Sequence, residues 1–593
     1  MPVTLSAVRE EDVLRISCRV AGEQGPLEIR LKSDRSARVE KASDVSPHAP
    51  PGWKATNPRY VFPGQNRELC CLAVDVAAEA DMQGVVRIAN PDGGPYFWNP
   101  PLQDVQGHLD GDLVIPADQL EHWENCLFLA GSRAHVTGFH LRLPVPAGGG
   151  LQREVKLLTA DWSGVVSLHR GDDGTELASA RVEASPAHLD PLPATTDDAG
   201  CLPREVLVEG LCRILDQLMR SRNMNPASRT YGGFFLLYDA DARMRRASHW
   251  LWAWGPAIRL LLDARHVRPI AERFGADELL AAAELAGRAS LRFVTRGTDH
   301  PARGLATVRW EPTCDGESGF REFISAADSL YLSGWGWLPL YETTGDERYL
   351  TAARDLADAT ERLMDTFPLV PQEYEPDVAA WTRHTYDESA FGMDGLTELA
   401  RVTGERRYVE MGRRFMDSHL KRFERDDGLW HRLWWRGEQG PQYPIDTKGE
   451  AWVMAGLLAA HRLAPDGGYL VRAQKLADRL IALQQRDGRW NSFIDDPPSP
   501  NPINDKATAI WAYLMQRTHA HTARGEYLAS ARRALAWCLA NQHTGPDRQA
   551  VAAILPLAGF MQVNFHHLTV LYTTTFLGLA ILEELRRTEG DDK

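Results

Sequence analysis

No run of 18 consecutive apolar residues occurs in the 593-residue chain, so no membrane-spanning helix is expected. The start, MPVTLSAVREEDVLRIS, lacks a basic segment followed by an apolar one, and with it a recognisable signal peptide. Cysteine is scarce. Of eight residues only Cys70 and Cys71 are adjacent, and there is no CxxC and no Cys/His spacing suited to zinc. A reduced, cytoplasmic protein without metal or cofactor is therefore expected. Positive charge is also short: the net charge is −14, which argues against nucleic acid or an anionic membrane as partner, since both need a basic face. Acidic small substrates stay open, because a small cationic pocket fits within an acidic protein.

What is present is ordinary in bulk and uneven in detail. Hydrophobic content of 44% and charged content of 25% suit a soluble globular protein, and the length calls for two or more domains. Tryptophan is plentiful at 18, much of it clustered in WLWAW (250–254), GWGW (334–337) and LWW (433–435), as an aromatic-lined cavity would need. Up to about residue 190 the chain reads as β. Short alternating segments such as VLRISCRV, GVVRIAN and VTGFHLRL are separated by Gly, Pro, Asp and Asn clusters, and LEHWENCLFLAGSRAHVTGFHLRL resembles the closing strands of a jelly-roll. The expectation is a β-sandwich-like domain over 1–190, a Pro- and Asp-rich linker over 191–203, and a helical domain over 204–593.

The helical part repeats. TTGDERYL (343–350), VTGERRYV (402–409), APDGGYL (464–470) and TARGEYL (522–528) recur about sixty residues apart, each a tight turn between an apolar helix and an amphipathic one. Twelve apolar-periodic stretches follow from 204 onward: 204–222, 246–264, 276–296, 324–342, 346–366, 387–402, 405–423, 449–464, 467–486, 505–520, 525–542 and 567–587. Twelve helices in such hairpins predict a closed (α/α)6 toroid, because one hairpin cannot bury its apolar face without neighbours. The helix that is apolar all round (YLSGWGWLPLY) belongs inside, and the one with a charged face (TAARDLADATERLM) outside.

The inner-helix entrances then open onto one end of the barrel: ASHWLWAWG, SAADSLYLSGW, HTYDESAFGM, DTKGEAWVMAG, INDKATAIWA and VNFHHLTVLYT. Nearly every one sets a polar or ionisable residue ahead of an apolar run. Singly each is a helix cap. Six at one mouth, with Trp252, Trp335, Trp337 and Trp452 nearby, fit a ligand site better. Flat aromatic faces with carboxylates suit a sugar.

Two of these entrances carry a family resemblance. DSLYLSGWGWLPLYETTGDERYL and DESAFGMDGLTELARVTGERRYV each place an Asp sixteen residues before the Thr of a TG[DE] turn (328 to 344, 387 to 403). This resembles the unsaturated glucuronyl and unsaturated rhamnogalacturonyl hydrolases. GEAWVMAGLLAAHRL is similar to their Trp-Ser-Arg-Gly-Gln-Ala-Trp helix start, and DDGLWHRLWW (426–435) to their Gly-Leu-aromatic-His segment. The resemblance spans roughly 240–590. It implies Asp387 as catalytic acid/base, Asp328 as a second carboxylate orienting substrate and water, and Trp452 as a stacking wall. Glu388 is a rival acid/base, since one helical position turns a side chain by about 100°. Lys448 and Asp446 stand where the family has Arg and Trp, and are expected to contact the uronate. Trp335, Trp337, His384 and His567 complete the expected substrate-binding set.

The expected activity is exo-acting release of a glucuronyl residue, saturated or 4,5-unsaturated, from an oligosaccharide. Competing readings are a uronate lyase or C5-epimerase using Tyr231, Tyr238 or Tyr386 as base, a sugar 2-epimerase-like isomerase, and a non-catalytic carbohydrate-binding protein. Arg309, Glu311, Asp315 and Glu317 in VRWEPTCDGESG read as a solvated charge run on a long loop. The β domain is expected to brace the toroid or to mediate homo-oligomerisation.

Overall fold

A computed structural model describes residues 174–183, 190–193, 200–223, 229–239, 244–246, 249–312, 320–437, 445–491, 506–544 and 568–591, ten strands between residues 3 and 170, and a few single positions. Six helical segments form a closed ring, each packed on the next. In chain order they are Leu251–Ala264, Ala326–Leu332 with its continuation to Thr344, Met393–Thr403 with the 3-10 turn Asp387–Gly392, Thr447–Leu463, Lys506–Thr522 and Leu571–Asp591, the last returning to the first. A second layer wraps them: Arg204–Arg220, Ala276–Leu291, Glu347–Thr366, Arg406–Phe423, Tyr469–Leu483 and Gly525–Ala540. This is the (α/α)6 toroid.

Burial follows the expected grammar. In Thr447–Leu463 every residue from Thr447 to Ala460 is buried, whereas Glu347–Thr366 buries one stripe, Tyr349, Leu350, Ala352, Ala353, Leu356, Ala357, Ala359, Thr360 and Leu363. The repeated turns work as their residues require. Gly345 and Gly404 take left-handed φ of 72° and 70°, which costs glycine little, and Asp346 caps the following helix by accepting the Arg348 N–H at 3.1 Å. Inner helices approach backbone to backbone. A methyl on Gly395 would lie 2.2 Å from the Leu330 carbonyl oxygen. Gly395→Ala is therefore expected to lower stability by about 1–3 kcal/mol, read as an earlier urea midpoint. An unchanged midpoint would refute that contact.

Two segments depart from the expected helices, each for a backbone reason. The stretch expected to be helical from 246 begins at Leu251, because His249–Trp250 pairs as a strand with Thr307–Pro312. That hairpin partner continues into a five-stranded sheet with Phe320–Ile324, Tyr374–Glu375 and Ala380–Trp381. The helix from Ala326 is interrupted by a π turn, Ser333–Trp337, where the Leu338 N–H bonds the Ser333 carbonyl five residues back. Pro339 supplies the cause: it lacks the N–H that would bond Trp335 four residues back.

The N-terminal strands form two larger sheets beside the hairpin Arg59–Phe62 with Gln65–Glu68. One runs in the order Val3–Glu10, Val13–Val20, Gly150–Lys156. The other runs Glu176–Val182, Gly164–Arg170, Leu27–Ser33, Gly138–Arg142, Asp110–Pro116, Ala77–Met82. The expected jelly-roll segment at 120–143 lies outside the described residues except for Gly138–Arg142. No helix among the described residues is long and apolar enough to cross a membrane.

Candidate active site

At the end of the barrel where the inner helices begin, a cavity of about 170 Å³ is lined by Asp328, His384, Glu388, Lys448 and Trp452, all expected from the sequence. It is also lined by Trp250, Trp252, Arg309, Gln372, Glu373, Tyr386, Phe391 and Arg432. The floor is aromatic: Trp252 and Trp452 meet edge-to-face at 5.6 Å, and Tyr331 packs on Phe391 at 4.4 Å beneath them.

The stretch DTKGEAW resolves into separate duties. Asp446 is the helix cap, its carboxylate accepting the Lys448 N–H at 3.0 Å, and it stays outside the lining. Lys448, 3% exposed, sends its ammonium to Glu388 at 3.1 Å. Gly449 leaves room for Arg432, whose Nη1 would lie 3.0 Å from any Cβ there. Glu450 is fully buried and accepts the Trp430 N–H at 2.8 Å. Burial, then the neighbouring Asp387, drive its pKa well above the carboxylate range, so it is a neutral acid. The opening charges are thus cap, cavity cation and buried acid.

Asp387 and Glu388 open the 3-10 turn Asp387–Gly392 side by side, but face different surroundings. Asp387 is 0% exposed and absent from the lining. One of its oxygens takes Arg432 and the other has no hydrogen-bond partner. Burial, with some help from the Glu388 charge and against Arg432, pushes it up to about 7. Glu388 faces the cavity and accepts Arg432 Nη2 at 3.0 Å as well as Lys448. Burial would raise it, but the two cations win and hold it at about 2. The turn is fixed by Ser389, whose hydroxyl donates to the Tyr386 carbonyl at 2.7 Å and meets His419 at 2.8 Å.

Asp328 sits in the first turn of Ala326–Leu332, where its N–H is capped by Ser325 at 3.3 Å. Burial lifts its carboxyl to about 6, the Ser325 bond and Arg309 opposing. His384 is held near 4 by burial and by Arg309, hence neutral.

Other expected contacts fall elsewhere. Trp337 is fully buried in the core with its N–H on Ser290 at 2.8 Å, and the π turn rotates Trp335 toward a different cavity at the far end of the barrel. Neither reaches this site. His567 lies outside the described residues. The reading of Arg309 as a solvated loop charge is corrected: it is 6% exposed, ion-paired with Glu373, and stacked on Phe323 at 4.0 Å. Sequence reasoning misses Arg432 although it singles out the surrounding segment. The available signal is an arginine in a tryptophan-rich turn, which has no place in a solvated loop. No cluster of metal-ligating side chains occurs among the described residues.

Residues 332–567 match Glycosyl Hydrolase Family 88. No curated protein registers as a relative. Among solved structures, an unsaturated glucuronyl hydrolase specific for heparin aligns at 14% identity and a TM-score of 0.50, covering 65% of this chain and 99% of its own. The Bacillus sp. GL1 unsaturated glucuronyl hydrolase, responsible for glycosaminoglycan degradation, aligns at 14% and 0.48, covering 64% and 96%. A family 88 glycosyl hydrolase from Bacteroides vulgatus aligns at 14% and 0.45, covering 65% and 99%. Such identities speak for the fold alone. The matched stretch holds Asp387, Glu388, Arg432 and Lys448, begins four residues after Asp328, and makes the protein a glycoside hydrolase built on an (α/α)6 toroid, similar to family 88 over 332–567.

Proposed function

We propose that the protein removes a terminal glucuronyl residue from oligosaccharides, with Asp328 as the proton donor and Glu388 as the ionised carboxylate that orients water. One observation carries the reading: of the three carboxyl groups that face one small aromatic-floored cavity, Glu373 is tied up with Arg309, while Asp328 holds its proton to about 6 and Glu388 is ionised down to about 2. About 170 Å³ above closed aromatic packing suits a single sugar ring, which supports exo action. Arg309, Arg432 and Lys448 line the same space and complement a uronate carboxylate. The acid/base role expected of Asp387 passes to Asp328 here, since Asp387 is walled off by Arg432.

On a 4,5-unsaturated uronide, Asp328 protonates C4 of the vinyl ether and water oriented by Glu388 adds at C5, its released proton returning to the Asp328 carboxylate. The resulting hemiketal opens and releases the aglycone. On a saturated glucuronide the same pair would protonate the leaving oxygen and direct water to C1. A lyase is the second reading, favoured by Tyr386 and neutral His384 packing at 5.2 Å in the cavity wall.

The test is a substrate screen. Unsaturated disaccharides are followed by loss of the C4=C5 absorbance, 4-nitrophenyl β-D-glucuronide by nitrophenol release, and intact polyuronate by gain of absorbance. Loss of absorbance is the expected result. Nitrophenol release alone would restrict the enzyme to saturated glucuronides, and a gain on polymer would replace hydrolysis by elimination.

A further inference from the structure

The toroid has a second and larger cavity, about 400 Å³, at the opposite end of the barrel axis. Its rim comes from the last turns of the inner helices, at Glu342, Arg401, Arg462 and His521, while the first cavity is built from their entrances. The two are separated by packed rings. Trp335 borders the second cavity and meets Tyr331 and Phe576 at 5.8 Å each, and Phe576 meets Trp452 of the first cavity floor at 5.4 Å. A ligand in one does not pass into the other.

Three features give this cavity the make-up of a binding site. Its deep side presents two half-buried rings, Trp335 and Tyr513, 5.9 Å apart and inclined at 63°, beside leucine and alanine side chains. Asp394, 5% exposed, lines it with one oxygen on Arg462 at 3.0 Å, and its carboxylate also faces the indole N–H of Trp335, which holds acceptor and ring together at one place. The unusual backbone is local to it: the π turn that carries Trp335 also brings Gly334 against Asp394, where a methyl would sit 2.8 Å from the Asp394 carbonyl. An ordinary α turn would rotate Trp335 away.

The charges say what kind of ligand. Five arginines and five carboxylates line the cavity, and they are already committed to each other. Arg462 bridges Asp394 and Glu398, the latter at 2.7 Å, and Arg401 joins Glu398 at 2.8 Å to Glu342. A charged ligand gains nothing from a balanced collar and would have to break ion pairs. Hydroxyl groups can donate to the carboxylate oxygens and accept from the guanidinium edges without breaking any, while a pyranose or polyol face packs on the rings. We propose that this second cavity is a binding site for an uncharged, hydroxyl-rich small molecule, a neutral saccharide unit or polyol, held on Trp335 and Tyr513 with Asp394 as its hydroxyl acceptor. A merely structural collar would close the barrel end without binding any sugar.

Saturation-transfer NMR of the full chain with glucose, N-acetylglucosamine, cellobiose and sorbitol, and with glucuronate as the charged control, decides between them. At least one neutral ligand is expected to saturate with a Kd of about 1 mM, corresponding to roughly −4 kcal/mol. Tyr513→Ala and Asp394→Asn should weaken it about tenfold or more, with glycosidic turnover on a small substrate unchanged. Should Tyr513→Ala fail to fold, Asp394→Asn and Tyr513→Phe, which removes only the hydroxyl, carry the test. The proposal is overturned if no neutral ligand saturates, if glucuronate alone binds, or if the folded variants bind like the wild type. Binding is read without turnover, so this site stands or falls apart from the hydrolase reading.

Discussion

Replacing Asp328 by Asn is expected to slow hydrolysis by roughly 10²–10⁴-fold, the usual worth of a positioned proton donor, while leaving the urea midpoint nearly unchanged. The amide keeps the shape of the carboxyl and the Ser325 cap acts on the backbone N–H, so the helix start survives. The pH profile gives the sharper check. Asp328 must be protonated to act, and burial holds its pKa at about 6, so wild-type kcat/KM should be level on the acid side and fall as pH rises through about 6. The second carboxylate, Glu388, stays ionised down to about 2 and imposes no acid limb in the range where the protein is stable. Asp387, at about 7, is the competitor. If the fall centres near 7 and Asp387→Asn carries the loss instead, the proton comes from Asp387 and Asp328 only orients.

The toroid was legible because its turns are chemical statements. TTGDERYL and VTGERRYV spell a left-handed glycine, a cap and a helix start, and the chain obeys at Gly345, Asp346 and Gly404. The fourth turn shows where spelling misleads. In TARGEYL the glycine comes two places later, and the left-handed residue is Ala523, with φ 56°. The fold keeps the turn although the residue does not favour it, since packing of the flanking helices outweighs a local cost of about 1 kcal/mol. The π turn was illegible for the opposite reason: an apolar stretch with one proline looks periodic, and a single inserted residue changes only which way Trp335 and Trp337 face.

The site was half legible. Residues at helix entrances were found, because an entrance is recognised from the helix that follows it. Arg309 and Glu373 were not, because Arg309 sits on a short strand, and Glu373 just before one, whose pairing is long-range: Thr307–Pro312 joins His249–Trp250 and Phe320–Ile324, and Ile324 pairs with Tyr374. Nothing local in VRWEPTCDGESG distinguishes that strand from a solvated loop. Adjacent Asp387 and Glu388 could be told apart only by burial and partners, which assign one to the interior and the other to the cavity.

Arg432→Met is expected to be the most damaging single change in the site. Arg432 is 4% exposed, bonds Asp387 and Glu388 at once, and lies over the Tyr386 ring at 4.7 Å. Its removal leaves a fully buried carboxyl without its cation, and breaking such a pair costs about 3–5 kcal/mol. Glu388 retains Lys448 but loses one of the two charges that hold its pKa down, while the upward pull of burial remains. The signs follow. In the wild type the ionised Glu388 contributes stability that is present above the ordinary glutamate pKa and lost as pH falls through about 2. In the variant that loss moves to higher pH, and an acid limb absent from the wild-type kcat/KM profile should emerge. Arg432→Lys keeps the charge without the two-pronged fork and should fall between. The double variant Arg432→Met with Asp387→Leu separates charge burial from catalysis: stability should return, because neither ion is left unpaired, while turnover stays lost. Urea titrations at neutral pH and kcat/KM profiles of the three variants make the comparison. A single variant with the wild-type midpoint and no acid limb would mean that Arg432 does not hold these two carboxylates apart.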